Sequence, residues 1–335
     1  MSWDRRATGA VPADSPARHV TGPTPGAPPT QQTPVATPPD SPTRQVAIPL
    51  GGLSRLLLVV GSLAGLAAFA WPLVLPAAPS LTQHASDAPY VFAALVPLVL
   101  GLVLAQMADG GLDAKALALL GILAAVNAVA RPLGAGVNGL ETVGFLLIVA
   151  GRVFGPGFGF ALGALSLFAS ALLTAGVGPW LPFQMLACGW TGLAAGLLPD
   201  RWRGRPLRGR RETALLVVFG IVAAYLFGGL MNLWFWPFVT GPSLGDASLA
   251  YVPGGPLAEN LHRFVVYSLV TSTALWDTGR ALTDAVLLSV LGPPVLALLR
   301  RAARRAQFDP MVEFQDTAAS TSRLAPVESP PNPAT

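Results

Sequence analysis

Six residues spread between positions 138 and 277 have side chains suited to holding a small molecule: Asn138, Trp180, Gln184, Asn232, Trp234 and Asp277. Tryptophan faces stack on rings, amides read donor and acceptor edges, and a carboxylate holds a positively polarised group. They occur in four stretches, ARPLGAGVNGLE, GVGPWLPFQM, NLWFWPF and WDTGRALTD. Arg131 and Glu141 are spaced to pair and order the first of these, and Trp276, Arg280 and Asp284 accompany Asp277 in the last. Each tryptophan has a plainer reading, as an anchor at a membrane–water interface. The concentration of aromatics, amides and ion-pairing groups favours a binding site, since such sites are mostly apolar with a few placed polar groups.

Bond-breaking chemistry has less support. No Ser-His-Asp, HExxH or paired-carboxylate arrangement is present. His19, His84 and His262 are too scattered for a metal site, and Cys188 is the lone cysteine, which rules out an internal disulfide or a cysteine metal cluster. The turn GPGFG at 155–159 looks like a phosphate-cradling loop. It lacks the preceding strand and lysine such loops need, and its flanks LLIVAGRVF and FALGALSLF are membrane-like. A tight turn between two helices explains it.

The elements that must position these residues are membrane helices. The chain has 335 residues, of which 52% are hydrophobic and 11% charged, and its mean hydropathy is +0.56. Soluble domains carry about a quarter charged residues, and repeated uncharged runs of roughly twenty residues match the thickness of a bilayer. The expected fold is therefore an all-α integral membrane protein. Eight spans are expected, at 56–76, 89–107, 114–132, 141–154, 157–177, 182–198, 213–239 and 282–299. The net charge of +4 does not indicate nucleic acid, because the arginines flank apolar runs as topology signals. Residues 1–47, rich in Pro, Thr, Ala and Ser, and the tail 306–335 read as disordered, since neither can bury enough apolar surface to offset its ordering entropy.

Basic residues fix the expected orientation. RWRGRPLRGRR at 201–211 and RRAARR after the last span should both be cytoplasmic, as should Arg44 and Arg55. Both termini then lie in the cytoplasm, and the number of spans is even. The apolar stretch 261–276 is accordingly expected as an interfacial or re-entrant helix on the outer face, either separate from the last span or continuous with it. Small residues recur at Ala114, Ala118, Gly121 and Ala125, and again at Gly159, Gly163, Ala164 and Ala171. Such spacing allows close helix approach, within the bundle or against another membrane protein.

The stretch FLLIVAGRVFGPGFGFALGALSLFASALLTAGVGPWLPFQMLACGWTGLAAGLLPDR resembles the substrate-specific S component of energy-coupling factor (ECF) transporters, a likeness that extends over about 114–305. The resemblance implies a six-helix substrate-binding core at 114–305, preceded here by two extra transmembrane helices at 53–108. It implies a cell-membrane, multi-pass protein that is not an enzyme and captures a vitamin or related micronutrient on the outer side. Transport would require a transmembrane T component and two cytoplasmic ATPases, which use ATP; no cofactor is implied in this chain. The family's docking motif falls on Ala114 and Ala118, with Gly121 and Ala125 as a second pair, and the ligand-covering loops on 131–138 and 176–182. Two other readings are a membrane enzyme acting on a lipid-linked substrate around Asp277, Arg280 and Asp284, and a stand-alone secondary transporter. The latter would predict inverted repeats, and none is evident.

Overall fold

A computed structural model of the chain describes residues 51–74, 94–106, 114–134, 139–238 and 247–307. Asn138, the proline-rich N-terminal tail and the tail beyond 307 fall outside the described residues. Within them helix dominates, as expected where the backbone must satisfy its own hydrogen bonds in hydrocarbon. Helix α1 covers Gly52–Val74 and α2 covers Ala94–Gln106. Then follow α3 (Ala114–Leu133), α4 (Val143–Phe154), α5 (Pro156–Leu173), α6 (Leu181–Leu197) and α7 (Arg210–Phe235). Helix α8 (Leu257–Ser268) runs through a π-helical segment, Leu269–Asp277, into α9 (Thr278–Val290), and α10 spans Gly292–Gln307.

Among the described residues, α1, α3, α5 and α7 are long and apolar enough to cross a membrane, and the bent helix from α8 to α10 would make a fifth span. The apolar helices α2 and α4 are shorter.

Glycine sets the centre of the bundle. Gly159 of α5 and Gly192 of α6 face each other so closely that a Cβ on either would strike the other's backbone, and Gly163 meets the Cys188 backbone in the same way. This close approach brings α5 and α6 together along their length. The small residues of α5 thus serve packing within the bundle. Gly155, with φ +96°, makes the sharp turn from α4, and Pro156 occupies the first turn of α5, where its missing N–H costs nothing.

The stretch 261–276 is continuous with the last span, one of the forms expected: α8, the π segment and α9 form one helix from Leu257 to Val290. The departure is within the span expected at 282–299, which breaks and bends by 64° into α10. The bend falls at Gly292-Pro293-Pro294: the prolines cannot donate backbone bonds to a continuing helix but fit the start of a new one. The basic loop after α6 contains a two-stranded hairpin, Arg201–Trp202 paired with Arg205–Pro206. Arg203 and Gly204 turn it with φ +49° and +77°, as two-residue hairpin turns require.

Helix α1 lies against α6 and α7. Phe69 packs edge-on to Phe183, with ring centroids 4.9 Å apart, and lies 5.7 Å from Trp190. Trp190 Nε1 donates to Ser62 Oγ at 3.0 Å. Helix α2 meets α1 where Leu102 fills the space left by Gly61.

Candidate functional site

One end of the bundle holds a cleft of about 310 Å³ lined by Arg131, Pro132, Glu141, Thr174, Trp276 and Arg280, together with backbone around Gly134 and Gly139. Four elements supply these groups: the end of α3, the approach to α4, the end of α5 and the π segment leading into α9. Gly139, with φ +75°, lies against the Trp276 carbonyl, where a side chain would not fit. The chain leading into α4 is thereby held to the π segment.

Beneath this cleft is a smaller chamber of about 20 Å³, lined by Gly144, Leu147, Cys188, Thr191, Phe227 and Asp284. Glu141 and Arg280 border both spaces. Arg280 joins two carboxylates, with its Nε donating to Glu141 Oε2 at 2.5 Å and its NH1 to Asp277 Oδ1 at 2.9 Å. Its Cζ lies 4.7 Å from the Phe227 ring centroid, a cation–π arrangement. Asp277 also accepts from Ser272 Oγ at 3.1 Å. These two residues are five apart, a spacing that a π-helical register brings into contact and an α-helical one does not. Glu141 is therefore paired with Arg280, and not with Arg131 as spacing predicted. Arg131 instead donates to Ser170 Oγ at 3.4 Å and to Gln184 Oε1 at 3.3 Å.

Asp284 is buried, at 2% exposure. The Phe145 amide, in the first turn of α4, bonds to its carboxylate, while its Oδ1 has no hydrogen-bond partner. Gly144 makes room for it, since a Cβ there would contact the Asp284 carboxylate.

The structure brings together some of the residues read from the sequence. Gln184 holds Arg131 at the cleft, and Asp277 holds Arg280 from behind. Asn232 lies one turn beyond Gly228 on α7, and Gly228 abuts Asp277, so all three share one face; Asn232 Nδ2 is buried without a partner. The two tryptophans lie elsewhere. Trp180 is 42% exposed and its ring lies over Gly178. Trp234 packs on Phe183, with centroids 5.3 Å apart, toward the α1 side. Ser272, Thr191 and Phe227 were not expected at the site; the π register conceals the first, and the others read as ordinary span residues.

A second polar cluster occupies the opposite end of α4, about 18 Å away by helical rise. Arg152 Nε donates to Glu212 Oε1 at 2.9 Å, and its NH1 contacts the Leu198 carbonyl and Asp200 Oδ1. Arg300 of α10 also reaches Glu212. Arg152 and Glu212 are both buried. This cluster ties α10, the α6–α7 connection and the hairpin to one end of the bundle, the end that also carries Arg201, Arg203, Arg205, Arg210, Arg211, Arg301 and Arg304.

On α3, Leu120, Leu123, Ala124, Asn127 and Ala128 turn inward. Ala114, Ala118, Gly121 and Ala125 are all exposed, and a Cβ built on Gly121 meets nothing within 4 Å.

These features define a multi-pass, helical membrane protein with a polar cleft at one end of its bundle. The family model for the ECF transporter, substrate-specific component, matches residues 115–275. Over that stretch, just under half of its length, the chain is similar to these substrate-specific transporter subunits. The resemblance read from the sequence is thus borne out. No curated protein and no solved structure matches the chain.

Proposed function

We propose that this protein captures a vitamin-like small molecule at the outer face of the cell membrane and passes it inward with a T component and two ATPases. The observation that carries this reading is the cleft of about 310 Å³ at the bundle end remote from the arginine-rich hairpin and α10. Arginine-rich connections favour the cytoplasmic side, so the cleft would face outward. Helix α1 agrees with this orientation: Phe69, near its end, meets Phe183 at the start of α6 on the cleft side, which leaves Gly52 toward the cytoplasm.

In this proposal Trp276, Arg131, Glu141 and Arg280 contact the ligand, with Gln184 and Asp277 holding the two arginines in place. Asn232 adds an unpartnered donor. Trp180 and Trp234 are assigned to the membrane interface and to the contact with α1. The exposed small-residue face of α3 would dock the T component. Helix α1 packs on the α6–α7 side and leaves that face open.

The test is to purify the full chain in mild detergent and identify released small molecules by mass spectrometry, with a vitamin panel titrated in parallel. A bound micronutrient supports the proposal. Protein that carries no small molecule and binds none of the panel would overturn it.

A further inference from the structure

The charges around the two spaces, which share Glu141 and Arg280, are unequal, and their placement bears on the chemistry of the ligand. At the deep end Arg280 is the single cation among the described lining residues, and it faces Glu141, Asp277 and Asp284. It bonds to the first two and leaves Asp284 Oδ1 unpartnered. Arg131, the other guanidinium at the cleft, is held by the neutral groups of Ser170 and Gln184. It lines the upper cleft and is absent from the lining of the lower chamber.

Nothing in the fold dispenses with Asp284. Gly144 is small enough to admit its carboxylate, and the start of α4 directs the Phe145 amide at it. A helix N-terminus favours a negative charge. A buried carboxylate with a free oxygen is costly unless a complementary group completes it. Among the described residues no group of three His, Cys, Asp or Glu is placed to hold a metal ion. The chamber is too small for a whole ligand but has room for one projecting group. An ammonium or ring nitrogen bearing a proton or fixed charge would fit there, while the bulk of the ligand lay above against Trp276.

We infer that the ligand carries a positively charged nitrogen, which reaches Asp284 beside the Glu141–Arg280 pair. This rests on the receptor reading above and narrows it to cationic micronutrients, with neutral and anionic ones disfavoured. Asp284 becomes the residue that selects by charge.

The test uses the full chain in detergent at pH 7 and three probes: thiamine, which carries a fixed cationic ring; riboflavin, which is neutral; and biotin, which is anionic. Calorimetry should find thiamine the tightest of the three, and Asp284→Asn should weaken it at least about tenfold. Mass spectrometry of the molecule released from the purified protein should show a cation or a base protonated at pH 7. Tighter binding of riboflavin or biotin, a neutral or anionic native ligand, or thiamine binding unchanged by Asp284→Asn would each overturn the charge inference and leave the receptor reading standing. The wild-type probe series and the native ligand decide the matter if Asp284→Asn does not fold. The absence of any bound or binding molecule would instead remove the receptor reading itself.

Discussion

The carboxylate of Asp277 lies directly against Gly228 of α7, in space that any side chain at position 228 would occupy. This contact fixes the π segment against α7 and holds Asp277 where it bonds Arg280, 2.9 Å away. A glycine in the middle of a membrane helix therefore governs the position of an arginine at the cleft.

Gly228→Ala should push Asp277 off α7 and loosen Arg280. Overfilling a packed site costs about 1–3 kcal/mol. Thermal unfolding in detergent should show a lower midpoint, and ligand affinity should fall with it. An unchanged midpoint would mean that α7 and the π segment separate without cost, contrary to the contact described.

The cluster at the other end of the bundle should be more sensitive. Arg152 and Glu212 are both buried, with side-chain exposures of 1% and 2%. Removing one member of such a pair strands the other, at about 3–5 kcal/mol. Glu212→Gln should therefore destabilise strongly. Arg300→Met should do so less, since Arg300 is 30% exposed. The order of the two midpoints is the measurement, and a reversed order would contradict it.

Two tryptophans of equal exposure should behave differently. Trp276 lines the cleft, whereas Trp180 covers Gly178 away from it; each is 42% exposed. Trp276→Ala should weaken ligand binding about tenfold through lost stacking, while Trp180→Ala should leave affinity within about twofold, because an interfacial anchor makes no ligand contact. Titration of both variants with the same ligand separates the two roles.

The small residues on the outer face of α3 give a prediction about assembly. Ala118→Leu and Ala125→Leu should leave ligand binding and thermal stability near wild type, because both positions are exposed. The same variants should abolish co-purification with the T component, since a larger side chain holds the helices apart. Retention of the complex in both variants would exclude this face as the docking surface.

Much of this was legible in local sequence. Uncharged runs between Gly- and Pro-rich breaks marked the helices, and the clustered arginines marked one end of the bundle, because bilayer thickness and charge cost act on each segment separately. The motif-bearing stretch from Phe145 to Arg201 carried the family resemblance. Long-range pairings were not accessible in that way. Glu141 and Arg280 are 139 residues apart, and only the packing of α4 beside α9 decides that they meet. The same packing separates Glu141 from Arg131, its nearer neighbour in sequence. Ser272 and Asp277 meet through a π register that periodicity of 3.6 does not anticipate. The sequence alone determined that the chain is a helical membrane protein resembling this family, since those properties follow from segment composition and local motifs. Tertiary structure decided which polar groups share the cleft and which tryptophans face away from it, because side-chain direction depends on how each helix is rotated against its neighbours.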